Sequence, residues 1–431
     1  MINVSSWGNL SRDKHDVHVI SRNRNCNNSF QPSSKGICFG LGRSYGDVCL
    51  NPGGFLWGMS SIDRILDFDP TSGILRCEAG MLLRDIQQFM VKRGWMLSAT
   101  PGTQFVTVGG AIANDVHGKN HHVLGSFGDS VISLTLLRSD GEIIICSSDK
   151  NSEWLASTIG GIGLTGMILE ATIQLRSVSG PWLDTETIPF SNLNEFFELS
   201  ESSEMHWQQC VSWIDCLSGS GRGLFNRGND SLAVSGPIPS DSKVSIPFTP
   251  PVSMVNSLSL KAFNMAYFNK GKMCAGNVIQ HYQSFFYPLD NIKHWNRMYG
   301  PKGFYQYQSV TPLEDGEYII QAMLNEISRS GSGSFLAVLK TFGDRQSKGL
   351  MSFPQPGVTL ALDFPRKGVE TDKLFTRLDA IVAEAKGRLY LAKDARMPKK
   401  LFEAGYPNLE EFLKYRDPGM SSAMSRRLMG F

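Results

Sequence analysis

The sequence predicts an α+β protein with many short connections rather than a regularly alternating α/β sheet. Strand-like runs separated by turns fill residues 36–180, and the order strand–helix–strand–strand–helix–strand occupies residues 304–391. Of the 431 residues, 41% are apolar and 19% are charged, so the chain can bury large cores and is not disordered. The net charge of +2 disfavours a general nucleic-acid binder.

The first 180 residues contain one clear helix among predicted strands. Residues 82–93 form it because Leu83, Ile86 and Met90 share one face and Gly94 follows where the helix stops. The strands are predicted at 64–69, 74–78, 131–137, 142–146 and 167–174. Turn residues between the first two strands, and between the third and fourth, indicate short antiparallel connections.

The second half of the chain divides into a weakly patterned stretch and a clear one. Five prolines in 236–251 indicate an irregular loop that can act as a mobile flap. We interpret the apolar run 254–268 as core or loop packing, in preference to a membrane-contacting surface. Further on, strands are predicted at 304–310, 334–341, 357–364 and 388–391, and helices at 313–328, 369–386, 409–415 and 421–428. The four strands and the first two helices make a split βαβ unit with an antiparallel sheet.

Three glycine-rich runs, at 40–47, 101–113 and 160–166, predict a diphosphate cofactor. Glycine lets backbone amides converge on an anion, a following helix N-terminus adds a favourable dipole, and Arg43 can add a charge-assisted hydrogen bond. The dinucleotide-binding G-x-G-x-x-G fingerprint and the P-loop pattern are both absent. Residues 42–46 match the G-x-S-x-G turn of serine hydrolases, but a proline-containing loop follows where that turn requires a helix.

Charged and imidazole side chains mark two further segments. Residues 117–122 hold three histidines and a lysine, but Lys119 would repel a cation, so no metal is predicted. His117 and Lys119 are better candidates for contacts to a cofactor ring or an anionic substrate. Lys393, after the last predicted strand, is either a solvated strand-end charge or a lysine that stabilises an anionic ring or a phosphate.

The glycine runs, with the segments 117–128, 306–308, 340–343, 363–365 and 387–396, resemble the PCMH-type FAD-binding oxidoreductases of the vanillyl-alcohol-oxidase superfamily. Within that superfamily they resemble the oxidases of polyprenyl-phosphate-linked ribose. The resemblance covers nearly all of 36–431. It implies an FAD-binding domain of 1–180, completed by 388–431, and a substrate-binding domain of 181–387. Members with covalent flavin carry a His in the first glycine run where this chain has Arg43, so non-covalent FAD is predicted.

The resemblance also implies site residues. Contacts to FAD are expected from Phe39, Gly40, Leu41, Gly42, Arg43, Ser44, Tyr45, Gly46, Asp47, Gly102, Thr107, Val108, Gly109, Gly110, Asn114, Asp115, His117, Ile168 and Tyr390. Contacts to substrate are expected from Trp213, Gln306, Gln308, Lys340 and Lys393. The catalytic candidates are Lys393, His117, Lys119 and Tyr45.

The expected reaction is FAD-dependent oxidation of a sugar secondary hydroxyl, C2 of a polyprenyl-phosphoryl-β-D-ribofuranose, to the 2-keto sugar. A separate NAD(P)H-dependent short-chain reductase would complete the epimerisation to the D-arabinose donor of cell-envelope arabinan. One alternative is an aldonolactone or alditol oxidase acting on a soluble sugar, but such enzymes commonly carry the covalent His and a C-terminal His-Trp-x-Lys element, which this chain lacks. Another is a flavin-binding protein without turnover, which His117, Lys119 and Lys393 disfavour.

The expected location follows from the termini and the substrate class. Residues 1–12 lack the apolar core of a secretory signal, and eight cysteines without a C-x-x-C pair indicate thiols in a reducing compartment. We therefore expect a cytoplasmic protein without a spanning helix. A lipid-linked substrate suggests peripheral contact with the inner membrane face. The candidate contact segments are 236–251, 254–268 and the tail 386–431, which has ten basic and five acidic residues.

Overall fold

A computed structural model describes residues 1–21, 35–233, 235–237 and 244–431. The chain up to residue 177 forms two sheets with short helices between their strands. Its strands are β1 Ile2–Asn3, β2 Lys14–Val19, β3 Gly36–Phe39, β4 Phe55–Gly58, β5 Ile65–Asp69, β6 Ile74–Glu78, β7 Trp95–Leu97, β8 Val131–Leu137, β9 Ile143–Ser147 and β10 Met167–Ser177. Its α-helices are α1 Leu83–Met90, α2 Val108–Ala113, α3 His121–Leu124 and α4 Ser152–Thr158. Two 3-10 turns, Val91–Arg93 and Phe127–Ser130, add to these.

Pairing in the first part is mixed in one sheet and antiparallel in the other. The first sheet has the order β1-β2-β4-β3, and β4 runs parallel to both β2 and β3. The second has the order β5-β6-β10-β8-β9, with β7 also paired to β10. The predicted hairpin is confirmed as the antiparallel pair β8 and β9. The predicted helix is also confirmed, since Leu83, Ile86 and Met90 are buried and Gly94 ends the helical segment at φ 81°.

The rest of the chain builds one large antiparallel sheet and the helices around it. The remaining strands are β11 Trp182–Phe190, β12 Gln209–Ile214, β13 Gly223–Asp230, β14 Val244–Ser245, β15 Gly276–His281, β16 Ile292–Lys293, β17 Phe304–Thr311, β18 Ala337–Phe342, β19 Gly357–Pro365 and β20 Arg388–Leu389. The remaining α-helices are α5 Leu193–Glu204, α6 Ser257–Met273, α7 Tyr282–Phe286, α8 Gly316–Ser330, α9 Val369–Glu384, α10 Lys399–Gly405, α11 Leu409–Leu413 and α12 Ala423–Met429. Pro288–Asn291 and Trp295–Tyr299 are 3-10 turns.

The large sheet has the order β15-β11-β13-β12-β18-β19-β17-β20, and all neighbouring strands are antiparallel. Its last four strands, with α8 and α9, have the predicted order of a split βαβ unit. The two faces alternate along each strand because side chains in a strand point to opposite sides. On β17, Tyr305 and Tyr307 pack against Phe375 of α9, whereas Gln306 and Gln308 face a cavity. This alternation fixes which side chains can reach a ligand.

After β20 the chain returns to the first sheet. Ser421 N donates to Gly36 O at 2.7 Å, and Phe402, Phe412 and Met424 share a core with Trp57 of β4. Several basic residues of the tail are engaged inside the protein. Arg427 pairs with Asp47 and Asp394, Arg396 pairs with Asp379, and Arg426 donates to Asn51. The tail is therefore not a freely exposed basic surface at these three arginines.

The interpretation of 254–268 as packed core or loop is wrong. These residues lie mostly in α6, which buries only Leu260 and Asn264. The helix forms because Asn256 caps it, accepting hydrogen bonds from Leu258 N and Ser259 N. Of the predicted flap, residues 238–243 lie outside the described residues, and Val244–Ser245 is a strand paired with Ile292–Lys293. Among the described residues, no helix is long and apolar enough to cross a membrane.

Candidate active site

A cavity of about 880 Å³ lies between the glycine-rich loops of the first part and the open face of the large sheet. Most of the predicted site residues line it. They are Gly40, Leu41, Gly42, Arg43, Ser44, Tyr45, Gly102, Thr107, Gly109, Gly110, Asn114, His117, Lys119, Ile168, Trp213, Gln306, Gln308, Lys340, Tyr390 and Lys393. Residues more than 270 positions apart in the chain thus meet in one space.

The first glycine run is built to approach an anion closely. Among the described residues, none accepts a hydrogen bond from the backbone amides of 40–44. Gly42 has φ +61°, a conformation that favours glycine, and a Cβ on Gly40 would lie 2.7 Å from Thr107 Oγ1. Successive free amides in such a loop form an anion-binding concavity. This wall fits the diphosphate of a dinucleotide such as FAD.

The second glycine run contributes in a different way from the one predicted. The amides of Val108 and Gly109 donate to Met81 O and Ala79 O, and Gly110 N donates to the Thr107 side chain. These amides are therefore already used within the protein, and the expectation that this helix start offers them to a phosphate is wrong. Gly109 and Gly110 serve the cavity by lacking a side chain, because both lie on its wall.

Two unpaired polar atoms beside this wall also fit a polar cofactor. Arg43 Nε and Asn114 Oδ1 are buried and have no hydrogen-bond partner among the described residues. Arg43 is held between Trp7 and Phe105, with its guanidinium carbon 4.3 Å and 5.3 Å from the two ring centroids. A buried polar atom without a hydrogen-bond partner destabilises the folded protein, and a bound polar ligand that supplies the partner removes this destabilisation.

Three lysines face the same cavity from different elements, and of these Lys340 is buried while Lys119 and Lys393 are half-buried. Lys119 follows α2, Lys340 lies on β18, and Lys393 follows β20. Burial lowers the pKa of Lys119 and of Lys340 from 10.5 to about 7. Lys119 Nζ donates to Phe285 O and lies 4.4 Å from the Phe285 ring centroid. An anion bound beside these lysines would favour their protonated form and raise their pKa again.

His117 links two of the predicted substrate contacts. Its Nδ1 lies 2.8 Å from Lys340 Nζ, and its Nε2 lies 3.0 Å from Gln308 Nε2. Burial, reinforced by the charge of Lys340, lowers the pKa of His117 well below 6.5, so its imidazole is neutral. Tyr390 lies beside it, with ring centroids 5.4 Å apart, and donates its hydroxyl to Asn114 O at 2.9 Å.

Lys393 stands in a second polar group on the same wall. Its Nζ lies 3.8 Å from the Tyr45 ring centroid, and the charge of the buried Asp363 acts on it. Burial lowers the pKa of Lys393, which Asp363 partly restores, and burial raises the pKa of Asp363, which Gln306 and Lys393 partly offset. Gln306 Nε2 donates to Asp363 Oδ1 at 2.7 Å, while Oδ2 is buried without a hydrogen-bond partner among the described residues.

Five of the predicted cofactor contacts do not line the cavity. They are Phe39, Gly46, Asp47, Val108 and Asp115. Asp47 is held away by its ion pair with Arg427, and a Cβ on Gly46 would lie 1.6 Å from Asp394 O, so these two residues secure the returning tail. Asp115 is fully buried and accepts hydrogen bonds from Ser126, Gly128 and Ser352. Asp47 and Asp115 thus stay out of the cavity because their carboxylates are already engaged by the protein.

The sequence analysis did not identify two acidic residues of the cavity as site residues. Asp363 falls in a quoted segment, and Asp290 lines the cavity near Arg43 and accepts from Gln104 N at 2.9 Å. The signal that could have found Asp363 is its position on β19, two residues from Ala361 and on the same strand face. Asp290 lies within the 3-10 turn Pro288–Asn291, and no local pattern points to it.

These features define an FAD-dependent oxidoreductase, and comparisons with known proteins agree. Residues 33–147 match the family model for an FAD binding domain. The chain is 36% identical to decaprenylphosphoryl-beta-D-ribose oxidase of Mycolicibacterium smegmatis, over 91% of this chain and 88% of that protein. It is 26% identical to an uncharacterized protein of Streptomyces coelicolor (80% and 99% covered). It is also 32% identical to L-gulonolactone oxidase of Mus musculus (41% of each). The chain belongs to the family of decaprenylphosphoryl-ribose oxidases, and the FAD prediction is confirmed.

Proposed function

We propose that this protein oxidises the C2 hydroxyl of a polyprenyl-phosphoryl-β-D-ribofuranose to the 2-keto sugar. The observation that carries the proposal is the convergence of three lysines, the buried Lys340 and the half-buried Lys119 and Lys393, on the cavity beside the glycine-rich wall. A phosphodiester is the anionic group that such a site fits, and burial makes each contact stronger than it would be in water. A family member is named for its action on decaprenylphosphoryl-beta-D-ribose.

The sugar would lie between the large sheet and the flavin. We assign Lys340, with His117 behind it, to the phosphate, and Gln306, Gln308 and Trp213 to the sugar. Gln308 is buried and already ordered by His117 and by Thr359 Oγ1, 3.3 Å away, so little side-chain entropy is lost on binding. Tyr45 and His117 would shape the flavin face. FAD, when bound, supplies the hydride acceptor.

Lys393 is our candidate for the proton acceptor. When the C2 hydroxyl is oxidised, its O–H bond breaks and the proton needs a base close to the sugar. Burial lowers the pKa of Lys393, so a neutral amine is available near neutral pH, and Asp363 stabilises the ammonium that then forms. A Lys393→Ala protein that keeps its FAD and its full turnover would remove this role.

We further propose the division of the chain into an FAD-binding domain of 1–180 with 388–431 and a substrate-binding domain of 181–387. The hydrogen bond of Ser421 to Gly36 and the pair Arg427–Asp47 support the return of the tail to the first part. The strand Arg388–Leu389 still pairs with β17, so the chain crosses back only after it. Bound FAD would be non-covalent, because Arg43 stands where a flavin-linked His would be.

The 2-keto product would be the first half of an epimerisation. A separate NAD(P)H-dependent reductase would then return a hydride to C2 from the opposite face and give the D-arabinose donor of envelope arabinan. A lipid-linked substrate also requires contact with a membrane surface. We place this protein at the inner face of the membrane on that account.

Trapping the product tests the position of oxidation. The FAD-loaded protein is incubated with a short-chain prenyl-phosphoryl ribose and an electron acceptor, and the mixture is reduced with borodeuteride. We expect arabinose and ribose that both carry deuterium at C2. Deuterium at another carbon would contradict the C2 assignment. Turnover of L-gulono-1,4-lactone, with none of the lipid-linked sugar, would favour the soluble-sugar oxidase instead, to which the 32% identity with L-gulonolactone oxidase points.

A further inference from the structure

Exposed apolar side chains are concentrated in one segment of the protein. Of the twenty-five large apolar side chains that are exposed among the described residues, eleven lie between Val244 and Ile279. A contiguous exposed apolar patch marks an interaction surface, whereas scattered apolar side chains do not, so the arrangement of these residues on α6 decides what the segment can bind. The segment 244–289 also contains three lysines and no acidic residue.

Helix α6 arranges these residues in a specific way. Leu260 and Asn264 face the protein, and Asn264 Nδ2 donates to Asp215 Oδ1 at 2.7 Å. At about 100° per residue, Leu258, Met265 and Met273 point roughly to the opposite side. These three side chains are 78%, 57% and 86% exposed.

The lysines lie along both edges of that outward face. By the same rotation, Lys261 and Lys272 lie at one edge and Lys270 at the other, while Ala262, Ala266 and Asn269 lie between them. An apolar strip flanked by lysines is the pattern of a helix that lies in a membrane interface, because the amines reach the headgroups while the strip enters the acyl boundary.

The outward face connects to the cavity through aromatic side chains. Tyr267 lines the cavity and lies 4.8 Å from the Trp213 ring, measured between centroids. Phe263 stacks on Tyr267 at 5.6 Å and also contacts Phe335 at 4.8 Å. These aromatic rings form an apolar surface that leads from the edge of the helix to the cavity wall.

We propose that the outward face of α6 docks on an anionic lipid bilayer and delivers the isoprenoid chain of the substrate to the cavity. The identity of the delivered chain rests on the proposed function. The docking of α6 on the bilayer does not. Three arginines of the basic tail, Arg396, Arg426 and Arg427, do not contribute to this docking surface, because they are bound within the protein.

Vesicle flotation of the full-length, FAD-loaded protein tests the docking. The vesicles are equimolar phosphatidylcholine and phosphatidylglycerol, or phosphatidylcholine alone. The variant Leu258→Ser/Met265→Ser/Met273→Ser should lose more than about tenfold in partitioning to the anionic vesicles. Lys261→Gln/Lys270→Gln/Lys272→Gln should lose about 100-fold, because each lysine near an anionic surface contributes about fivefold.

The matched control removes equally exposed apolar groups from another face, as Met205→Ser/Tyr318→Ser/Val369→Ser. It should bind vesicles like the parent protein. Equal binding by the α6 triple variant, or equal loss in the control, would overturn the proposal. The proposal would also be overturned if the parent protein self-associates without binding vesicles and the α6 substitutions abolish that self-association.

A second readout separates docking from catalysis. A short-chain, water-soluble prenyl-phosphoryl ribose should reduce the flavin equally in the parent and in the α6 triple variant. Flavin reduction without vesicle binding would reject the docking and leave the proposed function standing. Vesicle binding without flavin reduction would support the docking and reject the substrate.

Discussion

Replacing Lys340 by methionine should stabilise the protein and impair its ligand site. Burial lowers the pKa of Lys340 from 10.5 to about 7. At pH 6 the folded protein therefore holds a charge that the unfolded chain solvates freely, and a pKa difference of this size costs about 5 kcal/mol at about 1.4 kcal/mol per pKa step. Methionine cannot make the hydrogen bonds of Lys340 to His117 and to Gly118 O, and their loss reduces the net stabilisation by about 1–3 kcal/mol.

The pH dependence identifies the cause. Above pH 7 the folded lysine releases its proton while the unfolded lysine keeps it up to about pH 10.5. The unfolded state then binds more protons, and the stability of the parent rises with pH. The cost of Lys340 falls to about 2 kcal/mol at pH 9, so the stabilisation by Lys340→Met should shrink by about 2–3 kcal/mol between pH 6 and pH 9. The lost hydrogen bonds largely cancel in this difference.

The assay is urea unfolding of the FAD-free protein at both pH values. Lys373→Met, at an exposed position of α9, is the control and should show no such pH-dependent gain. The same variant of Lys340 should bind a short-chain prenyl phosphate about 10–100-fold more weakly, because one charge-assisted hydrogen bond is lost. A stability change of equal size at both pH values would refute the buried-charge argument, and unchanged ligand affinity would refute the assignment of Lys340 to the phosphate.

Three further outcomes are expected. Asp363→Asn removes the charge that raises the pKa of Lys393, so the rise of kcat with pH should begin at lower pH, and an unmoved profile would exclude this coupling. Asp47→Asn breaks the pair with Arg427, which keeps Asp394, and should lower the free energy of unfolding by about 1 kcal/mol while the Kd for FAD stays the same; weaker FAD binding by the folded variant would restore Asp47 as a cofactor contact. Acid precipitation should release all FAD into the supernatant, whereas yellow colour retained in the pellet would contradict the argument from Arg43.

Local patterns in the sequence were sufficient to predict much of the fold. The split βαβ order was predictable because strands and helices in 304–391 have clear periods, and Gly94 marks the end of α1 because only glycine adopts its φ cheaply. The orientation of α6 was not predictable in this way. Its apolar and polar residues are not separated onto two clear faces, and only the packing of Leu260 and Asn264 decides which side faces the protein.

The candidate site shows the same limit at the level of single residues. Lys119, Lys340 and Lys393 are predictable as polar residues in quoted motifs, but their convergence on one cavity depends on where β18 and the tail lie. Gly109 also illustrates the point, since a glycine pattern cannot reveal that its amide donates to Ala79 O. Tertiary hydrogen bonds decide which amides remain for a ligand.

Anaerobic absorbance of the purified, FAD-loaded protein tests the central claim most directly. A short-chain prenyl-phosphoryl-β-D-ribofuranose is added, and L-gulono-1,4-lactone is added to a parallel sample. The lipid-linked sugar should bleach the oxidised flavin band in a single turnover, because no acceptor is present to reoxidise the flavin, and the lactone should leave the band unchanged. A band that stays oxidised with the lipid-linked sugar would contradict the proposed substrate, whether or not the lactone bleaches it.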